Sequence, residues 1–275
     1  MNSFSEINMK EMYQQTKQRM NLDSRQIKKM MLYNYINDSI ETVIFDCRNK
    51  ENLKNFPEIK QNSRIILILN DNENLKNSDN LKEISEKIKE NDNISKGLYH
   101  IINSDYDLFL KDYPYLNINN LDNIHLPLCV LNNILYIGNF INSKNKKTLS
   151  LLKFKTIISL MKEPDKELGN LLGSNYRNFK HEESNHDEID YNEIYDFISE
   201  EISNNNIPIL IYCFSGQSGS IASAIAFLMK YKKWSIEFSI GYLMKISPTI
   251  NIPSWLYTQL LRFNDYEKKK EKSKK

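Results

Sequence analysis

Glycine, proline and cysteine are all scarce in this chain of 275 residues, at seven, seven and three. So few glycines and prolines exclude a collagen-like or linker-dominated architecture. The three cysteines, Cys47, Cys129 and Cys213, are odd in number and far apart, so they form neither a disulfide framework nor a C-x2-C zinc pattern. Long apolar runs are missing too. The most apolar stretch, 207–212, contains Pro208 and falls far short of the roughly 20 residues of a membrane helix. The first twenty residues contain no apolar segment of the kind a secretory signal has. These absences lead to the expectation of a cytoplasmic protein with no membrane partner. Nor does one sign of charge dominate: 37 Lys+Arg against 35 Asp+Glu leave +2, which argues against a dedicated nucleic-acid binder. What is present, 40% apolar and 26% charged residues, is a globular composition whose length fits two ordinary domains.

Asn, Lys and Ile are abundant throughout, so hydrophobic period is a better guide to elements than loop-forming residues. Residues 24–35 predict a helix with Ile27, Met30, Met31 and Tyr35 on one side. Three short apolar runs, 42–46, 64–69 and 97–102, predict strands, with a helix between the last two carrying Leu81, Ile84 and Ile88. Strands alternating with helices imply a parallel α/β domain. The aperiodic stretch 117–123 predicts a linker. Beyond it, strands are expected at 134–137, 156–160 and 207–213, and helices at 146–152, 191–202 and 221–229. Another helix is capped by Ser235 and stops before Pro248, and a last one runs from Pro253 through Leu261. The fold class expected is therefore two successive α/β domains. The end of the chain, residues 265–275, reads as a solvated basic tail, its lysines gathered in KKKEKSKK, with a nuclear or acidic-partner address as the alternative.

The segment 209–220, ILIYCFSGQSGS, carries chemistry. A buried strand ends at Cys213, and the following loop, Phe214, Ser215, Gly216, Gln217, Ser218 and Gly219, runs straight into an apolar helix. Free backbone N–H groups at a helix N-terminus form an anion site, and the same field favours a cysteine thiolate. Cys213 is thus the candidate nucleophile and Ser220 the hydroxyl that supports it.

This segment resembles the phosphate loop of the cysteine phosphatases, in which the thiolate attacks phosphorus, an arginine six residues later clamps two phosphate oxygens and a separate carboxylic acid protonates the leaving oxygen. The resemblance to the dual-specificity protein phosphatases extends over residues 126–264. It rests on NILYIGNF (133–140), FKTIISL (154–160), AIAFLMKYKKWSIEFSIGYLMKISP (224–248) and IPSWLYTQL (252–260). Residues 22–117 resemble a rhodanese-like domain through FDCRNKENL (45–53) and YHIINSDYDLFLKDYPYL (99–116). That pairing is the arrangement of the MAP kinase phosphatases. With its degenerate loop, the chain is most similar to the serine/threonine/tyrosine-interacting-like pseudophosphatases, though those lose the cysteine and this chain keeps it.

The departures matter more than the matches. Gly219 stands where the resemblance implies arginine, and Tyr212 where it implies histidine. A bidentate guanidinium makes two charge-assisted hydrogen bonds of about 1.5–3 kcal/mol each, so its loss costs roughly two to four powers of ten in rate. The acid is sought in HEESNHDEID (181–190), where His181, Glu182, Glu183 and Asp187 compete. Asp187 is taken as the candidate because the family uses aspartate. His181 and His186 are five apart, off one helical face, and no metal or other cofactor is expected. Arg177 or a nearby lysine is the candidate substitute cation. In the first domain Asp46 and Arg48 are expected to pair beside a structural Cys47. The loop NDNEN (70–74) offers a sulfurtransferase no nucleophile, so that domain is expected to be inactive; Lys50, Lys54, Lys60 and Arg64 are the basic residues a kinase could use. The resulting expectation is a catalytically impaired phosphatase homologue that binds proteins, with phosphoproteins and MAP kinases as candidate partners. The alternative is an active phosphatase.

Overall fold

The computed structural model describes residues 24–37, 42–48, 64–70, 98–113, 116, 126–247 and 250–273. The chain divides into two compact units, one of residues 35–124 and one of residues 1–34 with 125–275. The helix expected within 80–90, the linker at 117–123, the loop 71–74 and Lys50, Lys54 and Lys60 lie outside the described residues. No described helix is long and apolar enough to cross a membrane.

Helix α1 (Ser24–Ile36) belongs, through Asn34, to the second unit. The expectation that it opens the first domain is corrected by its contacts. Buried Tyr33 donates to the Pro127 carbonyl at 3.0 Å, and buried Asn34 bonds both the N–H and the C=O of Cys129, at 2.8 and 3.0 Å.

The unit of residues 35–124 holds β1 (Thr42–Asp46), β2 (Arg64–Leu69) and β3 (Leu98–Ile102), a parallel sheet in that order, and α2 (Asn103–Asp112). Ile65, Ile66, Leu67, Ile68 and Leu69 are all buried, the continuous apolar run that a parallel strand covered on both faces requires. Phe109 stacks with Tyr106 and Tyr113 beside it. The Asp46 carboxylate accepts from the Arg48 backbone and guanidinium at 2.6–3.0 Å, as the sequence led one to expect, and the guanidinium holds the carboxyl below its ordinary value.

The second unit is built on a five-stranded sheet of order β4-β5-β8-β6-β7. Its strands are β4 (Leu128–Leu131), β5 (Leu135–Gly138), β6 (Thr156–Leu160), β7 (Tyr176–Asn178) and β8 (Ile209–Cys213). Only the β4–β5 pair is antiparallel. Between the strands run α3 (Phe140–Lys144), α4 (Lys146–Leu152), α5 (Lys166–Leu172) and α6 (Tyr191–Ser203). After β8 come α7 (Gly219–Lys232), α8 (Ile236–Ile246) and α9 (Ser254–Lys272). β8 is the central strand and all five of its residues are buried. α7 is buried from Gly219 to Met229 because β5 and β8 cover one side and α6, α8 and α9 the others. Cys213 therefore ends a fully buried strand and faces the start of a helix that is buried from Gly219 to Met229. α9 continues to Lys272, well past Leu261, so most of the expected tail is helical; Lys and Glu are good helix formers, and the segment stays solvent-exposed.

Asp165 caps α5, accepting from the amides of Glu167 and Leu168 at 3.0 and 3.2 Å, and pairs with Lys144. Burial alone would raise its carboxyl, but Lys144 and the two amides hold it below the usual carboxylate value. A depressed folded value means that its stabilisation is fully present above the unfolded value of about 3.9 and is lost as pH falls through the folded one. Asp165→Ala is expected to cost about 1 kcal/mol at pH 7. The gap between its urea midpoint and that of the wild type should close as the pH is lowered below about 4.

Candidate active site

The loop from Phe214 to Ser218 wraps around the Cys213 sulfur. The Gly216 N–H donates to Sγ at 3.2 Å, and the hydroxyls of Ser220, Ser218 and Ser215 lie 3.2, 3.5 and 4.0 Å from it. Gly216 has φ +74°, and a Cβ there would sit 3.0 Å from the Asn139 Cβ and 3.1 Å from the Asn139 nitrogen. Only glycine permits both the turn and that approach. Underneath, Asn139 and Asn142 form a reciprocal cap on α3, and the Phe140 N–H donates to the Phe214 carbonyl at 3.3 Å. The stretch 133–140 thus does more than supply a strand: its turn is the floor of the cysteine loop. Ser218, the N-cap of α7, gives no side-chain cap, since its hydroxyl faces the sulfur. The first N–H groups of this 14-residue helix are left for an anion.

Among the acid candidates the geometry favours Glu183 over Asp187. Asp187 turns into its own loop, accepting from the Glu182 amide at 3.0 Å. Its carbonyl accepts from Gln259 at 3.1 Å. Glu183 instead reaches the cysteine loop, where Oε1 accepts from the Ser215 amide and hydroxyl at 3.4 and 3.3 Å. Burial would raise the Glu183 carboxyl, but Ser218, Cys213 and the Ser215 amide and hydroxyl hold it below its ordinary value. It was among the four competing residues, and preferring the aspartate is what passed it over.

His181, one of the four competing residues and also weighed as a metal ligand, is 2% exposed and neither ring nitrogen has a hydrogen-bond partner. Its imidazole sits against Gly219: a Cβ on that glycine would be 3.2 Å from Cδ2 and 3.4 Å from Nε2. The ring stacks on Trp255 at 6.0 Å, and His186 stacks on Trp255 at 4.7 Å. Burial pushes the His181 imidazole below its usual value, against the pull of Glu183, Asp187 and the Asp187 carbonyl. Tyr212, at the position where the resemblance implies histidine, is buried in β8 with its hydroxyl pushed up by burial.

Of the candidate substitute cations, Arg177 is engaged elsewhere. Arg177 pairs with Glu193 and lies over the Phe179 and Phe197 rings at 5.1 and 5.3 Å, while Lys162 pairs with Glu182 at 3.1 Å. Among the described residues no group of three or more His, Cys, Asp or Glu side chains could hold a metal ion. At the mouth of the loop the exposed rings of Phe140 and Phe214 stack at 6.5 Å, a feature that the sequence pattern does not signal.

Residues 135–266, from the strand under the loop through most of α9, match the family model for the dual specificity phosphatase catalytic domain. This part of the chain is a dual-specificity-phosphatase-like domain. Similar solved structures include a leucine rich repeat and phosphatase domain containing protein from Entamoeba histolytica, at 22% identity over 50% of this chain and 90% of that one (TM-score 0.41). DUSP15 is 23% identical over 50% and 86% (0.41), and human DUSP28 is 13% identical over 50% and 94% (0.42). No curated protein matches the chain.

Proposed function

We propose that the chain is a catalytically impaired dual-specificity phosphatase homologue that acts in the cytoplasm as a binding module for signalling proteins or phosphoproteins, MAP kinases among the candidates. Its first unit is, in this reading, an inactive rhodanese-like domain. One observation carries the proposal: Gly219 stands at the arginine position, and the room beside it holds a buried imidazole in place of a guanidinium. Glu183 also takes the Ser215 amide and hydroxyl, groups that a phosphoryl group in transfer would otherwise receive.

A second reading, an active phosphatase, draws on Glu183, which puts a carboxyl group beside the loop, and on Ser220 at 3.2 Å from the sulfur. Hydrolysis of a small aryl phosphate by the wild type and Cys213→Ser separates the two. Equal rates are expected, at the level of the uncatalysed reaction. Turnover by the wild type that Cys213→Ser abolishes overturns the proposal.

A further inference from the structure

We propose that His181 is the cation of the Cys213 loop: its imidazole holds a tetrahedral oxyanion of the phosphate and sulfate class against the N-terminus of α7, and takes up a proton from solvent as the anion binds. The inference deepens the binding-module reading and rests on its phosphoprotein branch, in which the Cys213 loop holds a phosphate-like anion.

Three observations converge. The imidazole packs closely against Gly219, where a Cβ would lie 3.2 Å from Cδ2 and 3.4 Å from Nε2. Both of its nitrogens lack partners at 2% exposure, although an unpartnered buried polar group is costly and rare. Lastly, the α7 N-terminus beside it has no side-chain cap. With the cradle empty, the positive end of the helix and burial both oppose an imidazolium, so the ring stays neutral. A bound anion reverses that balance, because it lies close to both the helix end and the ring. Binding and protonation are then linked, and affinity rises as pH falls.

The other groups facing His181 are few. Glu183 and Asp187 of its own loop favour its charge. α7 contributes Gly219, which carries no charge. α9 contributes Trp255, with His186 on that same ring. Glu183 is a rival for the linked proton, since an anion entering the loop meets its carboxylate at Ser215.

Sulfate is the probe, because unlike phosphate it does not titrate near neutrality. Calorimetry on the full chain should show the sulfate Kd tightening about three- to tenfold per pH unit between about pH 7.5 and 5.5, with uptake of close to one proton. In His181→Asn the dependence should shrink below about twofold over the whole range, while Glu183→Gln should keep it. Linkage that survives His181→Asn and disappears in Glu183→Gln overturns the inference by assigning the proton to the carboxylate. No sulfate binding in the wild type overturns both the inference and the anion-cradle reading, whereas sulfate binding without linkage overturns the inference alone. NMR of the wild type gives a readout independent of any variant's folding. The chain has four histidines, and one imidazole signal should titrate at higher pH when sulfate is added. If none moves, the inference fails.

Discussion

Gly219→Arg combined with His181→Val is expected to hydrolyse a small aryl phosphate about 10²- to 10⁴-fold faster than the wild type. The gain follows from two charge-assisted hydrogen bonds to the transferring phosphoryl group, about 3–6 kcal/mol together. Gly219→Arg by itself should gain much less. Its Cβ would meet the His181 ring at 3.2 Å, and that ring is wedged between Gly219 and Trp255 with no solvent to move into. The valine removes the obstacle. Tyr212 is left in place, because a histidine in that fully buried strand position would open a cavity. A doubly substituted protein with a wild-type urea midpoint but no more activity than Cys213→Ser would show that the missing guanidinium is not what silences the loop. The next variable would then be Glu183, whose carboxylate takes hydrogen bonds from Ser215 that an incoming phosphate would otherwise receive.

That experiment depends on a contact no spacing rule reveals, and the same division runs through the molecule. The strands 42–46, 64–69, 156–160 and 209–213 were legible as elements because each is a short, continuous apolar run, the signature of strands covered on both faces. The loop after Cys213 was legible because a strand, a glycine and serine turn and an apolar helix follow one another without interruption. Which side chains meet across that loop was not. Asp187 and Glu183 are four residues apart in one polar stretch, and only the turn at 183–186, where His186 adopts φ +53°, decides that Glu183 faces Ser215 while Asp187 binds the Glu182 amide. His181 was hidden for a different reason: a histidine in an acidic stretch looks solvated, whereas this one is buried between Gly219 and Trp255, the latter more than seventy residues away. Helix α1 was correctly read as a helix, but a polar residue on its inner side broke the apolar stripe used to orient it.

Asn34, that polar residue, supports the other large effect: Asn34→Ala is expected to destabilise the phosphatase-like unit by about 2–6 kcal/mol. β4 is an edge strand, paired with β5 on one side only. The Asn34 carboxamide serves as its missing neighbour, accepting from the Cys129 N–H and donating to the Cys129 C=O. Cys129 is fully buried, so truncation leaves a donor and an acceptor with no water to replace the lost partner, at about 1–3 kcal/mol each. Urea denaturation of the wild type and the variant measures the difference. Asn34→Asp sharpens the test. An ionised aspartate still accepts from the N–H but sets a buried charge against the carbonyl, while a protonated one can serve both backbone groups. This variant should therefore lose stability at neutral pH and recover part of it relative to the wild type as the pH is lowered toward the carboxylate range, the reverse of the behaviour expected at Asp165. If Asn34→Ala unfolds within about 0.5 kcal/mol of the wild type, α1 contributes nothing to the folded unit and the strand edge is satisfied by other means.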